Sequence, residues 1–246
     1  MTEALAYEIR RIRTLRSTWI MVALVALSGA GIAYLSVRLR TDGTSADQAA
    51  GVPLGSILTA YTSLGVVFLA VLGAQAIGQE YRYGLIRLTL TSIPRRTRAL
   101  TAKVVVLSGF VVATAVVASF ACIAGAWAGR WTGGATPILD GGSSDAGVVL
   151  RGVLYVVLYA LVAFAIAGIT RNLPLGIIVP LVTMAIVEPL LPVLTQQEWL
   201  VDVLPFVNGV SALSAEPSAW RGLAVFAAWV LPLLAVQAWL FHRRDA

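Results

Sequence analysis

Between Lys103 and Arg130 the chain reads VVVLSGFVVATAVVASFACIAGAWA from Val104 to Ala128, with no acid or base in it. A bilayer core of roughly 30 Å needs about 20 apolar residues of helix at 1.5 Å rise each. In hydrocarbon every backbone N–H and C=O must be paired within its own segment, so this stretch reads as a membrane-spanning helix. A transmembrane barrel would instead show alternating strands of about ten residues. Working outward, five more apolar runs meet the same criterion, at about 18–37, 56–77, 148–169, 173–194 and 220–241. The fold class that follows is an all-α integral membrane protein of six transmembrane helices. Little of the 246 residues is left over, which implies one transmembrane domain over 1–246 and no globular appendage.

Composition agrees. The chain is 59% hydrophobic and 12% charged, against about 45–50% and about 25% in soluble domains. The first run follows a basic segment, but it is too long for the core of a cleaved signal peptide and is read as retained. The formal net charge is +6, and its placement sets orientation. One side of the membrane would hold Arg10, Arg11, Arg13, Arg16, Arg82, Arg87, Arg95, Arg96, Arg98, Lys103, Arg171, Arg243 and Arg244. The other would hold only Arg38, Arg40, Arg130, Arg151 and Arg221. The positive-inside rule then places both termini in the cytoplasm. The excess charge serves orientation and does not indicate nucleic acid. Lys103 is the only lysine, a bias that, with abundant Ala, Val and Gly, suggests GC-rich coding and a bacterial plasma membrane.

Three segments are not spans. Leu5, Ile9, Ile12 and Trp19 fall near one helical face before the first span, which predicts an amphipathic interfacial helix on the cytoplasmic leaflet. The loop GQEYRYGLIRLTLTSIPRRTRALTAK, from Gly78 to Lys103, is longer than a simple helix connection needs. Tyr81, Leu85 and Leu88 repeat at helical spacing, Gly84 interrupts them, and Pro94 ends the segment. A short helix is preferred over a strand there, because a lone strand would have nothing to pair with. Trp199 to Leu213 is apolar but too interrupted to cross, and reads as a re-entrant or interfacial helix at the outer surface.

Within the spans, Ala121, Gly125 and Gly129 recur every four residues on the third. Small residues at this spacing allow close backbone approach, either inside one subunit, the preferred reading, or across a dimer. Glu188 is the one acid well inside a span, roughly 22 Å along the fifth helix from Leu173. A charge at the bilayer centre costs about 2.5–3.5 kcal/mol and less toward the interface. Glu188 therefore either lines a water-filled or substrate-facing cavity, or else reaches the outer interface or pairs locally, and the sequence leaves both readings open. Tyr61, Thr62 and Ser63 form a polar patch on the second span, and Tyr155 and Tyr159 lie in line with Arg151 on the fourth.

Enzymatic motifs are missing. The sequence has no G-x-x-x-x-G-K-[ST] phosphate loop, no G-x-S-x-G elbow and no H-E-x-x-H. His242 is the single histidine and Cys122 the single cysteine, so neither a metal site nor a catalytic triad is expected.

The run Gly78-x-Glu80-Tyr81-Arg82-Tyr83-Gly84, with Leu90, Pro94-Arg95-Arg96 and Lys103, resembles the loop after the second span of type-2 ABC exporter permeases. The ending Arg243-Arg244-Asp245 is also similar to that family's. One departure is Leu85, where the family typically has threonine. The resemblance implies a permease without its own ATPase, pairing as a homodimer above two separate ABC ATPase (nucleotide-binding) subunits that carry the ATP and Mg²⁺. It implies that the loop from Glu80 to Arg98 is the coupling helix, with Glu80, Tyr81, Arg82, Gly84, Leu88, Pro94, Arg95 and Arg96 as its contact residues. It also implies a path between the second and fifth spans, lined by Tyr61, Phe68, Thr183 and Glu188. The cargo would be hydrophobic or amphipathic: a drug, a peptide or a lipid. A membrane scaffold or sensor that binds an ATPase without moving cargo is the alternative. A lipid-modifying enzyme would need clustered His, Asp or Glu at one interface, which the chain lacks.

Overall fold

The computed structural model describes residues 2–41, 54–85, 96–133, 144–214 and 218–243. The described residues are helical with no strand, and six of the helices are long and apolar enough to cross a membrane. The short α1 covers Thr2–Thr14, and span one is α2, Arg16–Thr41. Span two is built from α3, Leu54–Leu58, and α4, Tyr61–Arg82. Span three is α5, Arg96–Gly133, and span four α6, Ser144–Thr170. Span five comprises α7, Leu173–Val182, a π turn at Thr183–Val187, and α8, Glu188–Thr195. After a 3₁₀ turn at Glu198–Leu200 come α9, Pro205–Ser211, and span six, α10, Ala219–Arg243. The outer helix expected from Trp199 onward is thus shorter, starting where Pro205 supplies a pre-set first-turn φ.

Spans two and four form the interior. Span one lies on three, span two on four, span five on both two and four, and span six on four. Missing side chains set these approaches. A Cβ on Gly73 would collide with the carbonyl oxygen of Ala160 in span four, and one on Gly125 with that of Ala30 in span one. The small-residue stripe of span three therefore packs inside the subunit, as preferred. Both obstacles are backbone, so neither can swing aside. Gly73→Ala is expected to cost about 1–3 kcal/mol by overpacking, read as a lower thermal midpoint in detergent, whereas Gly31→Ala, with open space around its Cβ, serves as the neutral control.

Span two is interrupted at Thr59 and Ala60, where i→i+3 bonds replace α-helical ones. The Thr59 and Thr62 hydroxyls donate to the carbonyls of Gly55 (2.8 Å) and Thr59 (2.7 Å). Of the polar patch at Tyr61, Thr62 and Ser63, Thr62 is thereby satisfied within its own helix.

Candidate functional site

Span two runs on past Ile77 to Arg82 because nothing in its last turn opposes helix, and it stops where Gly84 adopts φ +67°. The Leu85 N–H donates to the Glu80 carbonyl (2.9 Å) and the Gly84 N–H to that of Tyr81 (3.3 Å). These are the paired bonds of a Schellman cap, whose left-handed residue is best supplied by glycine. Span three begins at Arg96, well before its apolar run. The loop expected over 80–98 is accordingly shorter. Residues 80–82 and 96–98 are helical extensions of spans, and 86–95, with Leu88, Pro94 and Arg95, lie outside the described residues. Gly84→Ala is expected to lose about 1 kcal/mol, the cost of a Cβ in the left-handed region, and a thermal melt against Gly109→Ala, an open helical position, separates that from loss of glycine as such.

Lengthening both helices brings Glu80 and Lys103 face to face, and α1 completes the group. Glu8, Glu80 and Lys103 are 4%, 2% and 2% exposed. The Lys103 ammonium donates to Glu8 Oε1 (2.5 Å) and to Glu80 Oε1. Arg11 Nη1 lies 2.6 Å from Glu80 Oε1 and 3.1 Å from Glu8 Oε2, and Arg11 Nη2 donates to the Gln75 carbonyl (3.2 Å). Two carboxylates and two cations cancel. Removing charges from water is expensive, and it is offset only where each has close counter-charges and hydrogen bonds, as here.

Around this cluster the other helix ends meet. Arg171, in the left-handed region at φ 54° in the turn between spans four and five, places its guanidinium 5.5 Å from the centroid of the Tyr81 ring. Arg96 Nη1 donates to the Phe241 and His242 carbonyls (3.3 and 3.2 Å), capping span six. Cations suit the C-terminal end of a helix. The first helix, the end of span two, the start of span three and the end of span six therefore share one end of the bundle. Of the expected coupling contacts, Glu80 is buried in the ion cluster, and the half-buried Arg96 is engaged with the end of span six. Arg82, Tyr83 and Leu85 are exposed, Tyr83 by 66%.

The model of the ABC-2 family transporter protein matches residues 4–187. The chain belongs to the ABC-2 transporter family. No curated protein matches it significantly. The matched stretch contains the whole ion cluster, the loop root and the first five spans as far as the π turn. An ABC-2 membrane component is a permease-type subunit and not itself catalytic, in keeping with the missing enzymatic motifs.

In this ABC-2 permease the four expected path residues do not form one surface. Tyr61 is fully buried against Cys122 and Gly29, and its hydroxyl has no protein partner. Phe68 and Thr183 are half-buried, and the Thr183 hydroxyl donates to the Val179 carbonyl (2.8 Å). Glu188 is 1% exposed, and its carboxylate accepts the backbone N–H groups of Phe206 (3.1 Å) and Val207 (2.7 Å). Of the two readings left open for Glu188, local pairing is the one observed. The π turn ahead of it widens the helix by one residue per turn and aims Glu188 inward, while Val187 and Pro189 stay exposed.

The sequence reading missed Arg151 as a structural residue. Buried on span four, it donates from Nε to the Ala212 carbonyl (2.8 Å) and from Nη2 to that of Ser214 (2.7 Å). Together Glu188 and Arg151 hold α9 at both ends with the charges its dipole favours. Between them Tyr155, Tyr159, Phe206 and Phe226 pack with ring centroids 5.4–6.1 Å apart. Glu8 and Arg11 were missed as well. Their signal was present: with Ala4 they lie on one stripe of α1, beside the apolar stripe of Leu5, Ile9 and Ile12.

Proposed function

We propose that the chain is the permease of an ATP-driven exporter in a bacterial plasma membrane, with its termini and the 83–95 loop in the cytoplasm. Two copies pair, and a separate ABC ATPase carrying ATP and Mg²⁺ docks under each loop. The observation that carries this reading is the buried Glu8–Arg11–Glu80–Lys103 cluster. It joins α1 to the ends of spans two and three at the root of the loop, so a push on the loop moves helices and is not dissipated in slack. Tyr83 and Leu85, exposed at the start of the loop, offer apolar contact to a partner, and aromatic side chains are frequent anchors at such interfaces. The cargo is hydrophobic or amphipathic, and its path uses the partly exposed faces of spans two and five around Phe68 and Thr183.

Co-expression with a phosphate-loop ATPase encoded beside it should yield a complex whose hydrolysis drives uptake into inverted vesicles. Tyr83→Glu should reduce transport per ATP hydrolysed at least tenfold without moving the thermal midpoint. A complex that hydrolyses ATP but never accumulates cargo would favour a scaffold or sensor instead.

A further inference from the structure

Where α1 meets span three, the protein surface opens into a groove of about 440 Å³, inside the range of roughly 300–1,000 Å³ common to ligand sites. From α1 it is lined by Leu5, Ile9 and Ile12, and from span three by Val105, Gly109 and Phe110. Arg13 stands at its rim. Trp19 closes the corner: its indole N–H donates to the Arg13 carbonyl (3.0 Å), and its ring meets Phe110 edge-on at 6.5 Å between centroids. Tryptophan in this setting marks the height at which lipid head groups meet hydrocarbon.

The charges at this end divide into two sets. Arg11 and Lys103 are neutralised by Glu8 and Glu80. Arg10, Arg13 and Arg16 are exposed and have no carboxylate within ion-pair distance among the described residues. An apolar slot with the uncancelled Arg13 at its mouth, and Arg10 and Arg16 exposed on the same segment, calls for an apolar chain with an anionic head. We propose that this groove is a binding site for one anionic phospholipid of the arginine-rich leaflet, its acyl chain laid along Val105, Gly109 and Phe110 and its phosphate on Arg13. A second copy of the chain suits the groove less well, because it would bring the same arginines to the same rim. The site holds a resident lipid and is independent of the transported cargo, so it does not depend on the export reading.

Gly109 supplies the test, since a Cβ there meets nothing within 4 Å. Gly109→Leu should fill the slot without disturbing the bundle, while Arg13→Gln leaves the slot and removes the charge at its rim. Delipidated protein would be titrated with dioleoylphosphatidylglycerol or dioleoylphosphatidylcholine and examined by native mass spectrometry. The expected result is at least tenfold tighter retention of the glycerol lipid. Gly109→Leu should abolish this, and Arg13→Gln should bring it down to the choline level. Equal retention of the two lipids by the unmodified chain would overturn the proposal. So would an adduct unchanged in both variants, or a protein dimer that Gly109→Leu alone disrupts. If Gly109→Leu fails to fold, Arg13→Gln decides by itself, because its side chain is exposed.

Discussion

Lys103→Met is expected to destabilise the protein by about 3–5 kcal/mol, the usual loss when one partner of a buried ion pair is removed. Methionine keeps the bulk of lysine's unbranched stem and lacks only the terminal ammonium, so the loss reports the missing charge more than a cavity. With Lys103 gone, Glu8 and Glu80 share Arg11 alone, and the buried group carries a net negative charge. Neutralising one acid restores the balance, so Lys103→Met with Glu8→Gln should recover more than half of the lost stability. Thermal unfolding of the two single variants and the double variant in one detergent forms the cycle. Strict additivity would mean that the four residues do not act as a unit. The same variants bear on coupling, because a loosened root should let the loop move without the spans following. Lys103→Met with Glu8→Gln, restored in stability but with α1 less tightly held, should still transport less per ATP than the parent.

Glu188→Ala is expected to lose about 2–3 kcal/mol, because the Phe206 and Val207 N–H groups lose a charged acceptor in a place with little water. Faster proteolysis within 196–204 should accompany the lower thermal midpoint, since α9 would no longer be held at its start. Arg151→Met acts on the other end of the same helix, at the Ala212 and Ser214 carbonyls. The double variant should therefore lose less than the sum of the two. A Glu188→Ala protein with unchanged stability and abolished transport would instead return this residue to the cargo path.

The number and order of the spans were legible because each is a continuous apolar run. The amphipathic α1 was legible too, from Leu5, Ile9 and Ile12. The loop motif pointed to the family, but its Gly84 was read as an interruption within the loop, and only the structure made it the end of span two. Less could be read of what the polar residues do. Lys103 looked like a cation marking the inner edge of a span, because its partner Glu8 is 95 residues away. Glu80 belonged to a recognisable motif, yet the motif could not tell an outward contact from an inward brace. Arg96, one of a basic run before span three, turned out to cap a helix 145 residues further on. Glu188 was visible as an anomaly, and its meaning depended on where α9 folds back.

What the sequence by itself determined is the class of the protein and the succession of its helices. Hydrocarbon obliges every span to satisfy its own backbone wherever it lies, so each can be recognised without its neighbours. Only the tertiary structure decided which charges are buried together and which remain free for lipid or a partner. Pairing of charges depends on which helix ends meet. That is set by close contacts such as Gly73 on span four and Gly125 on span one, which a linear pattern of small residues permits but does not assign.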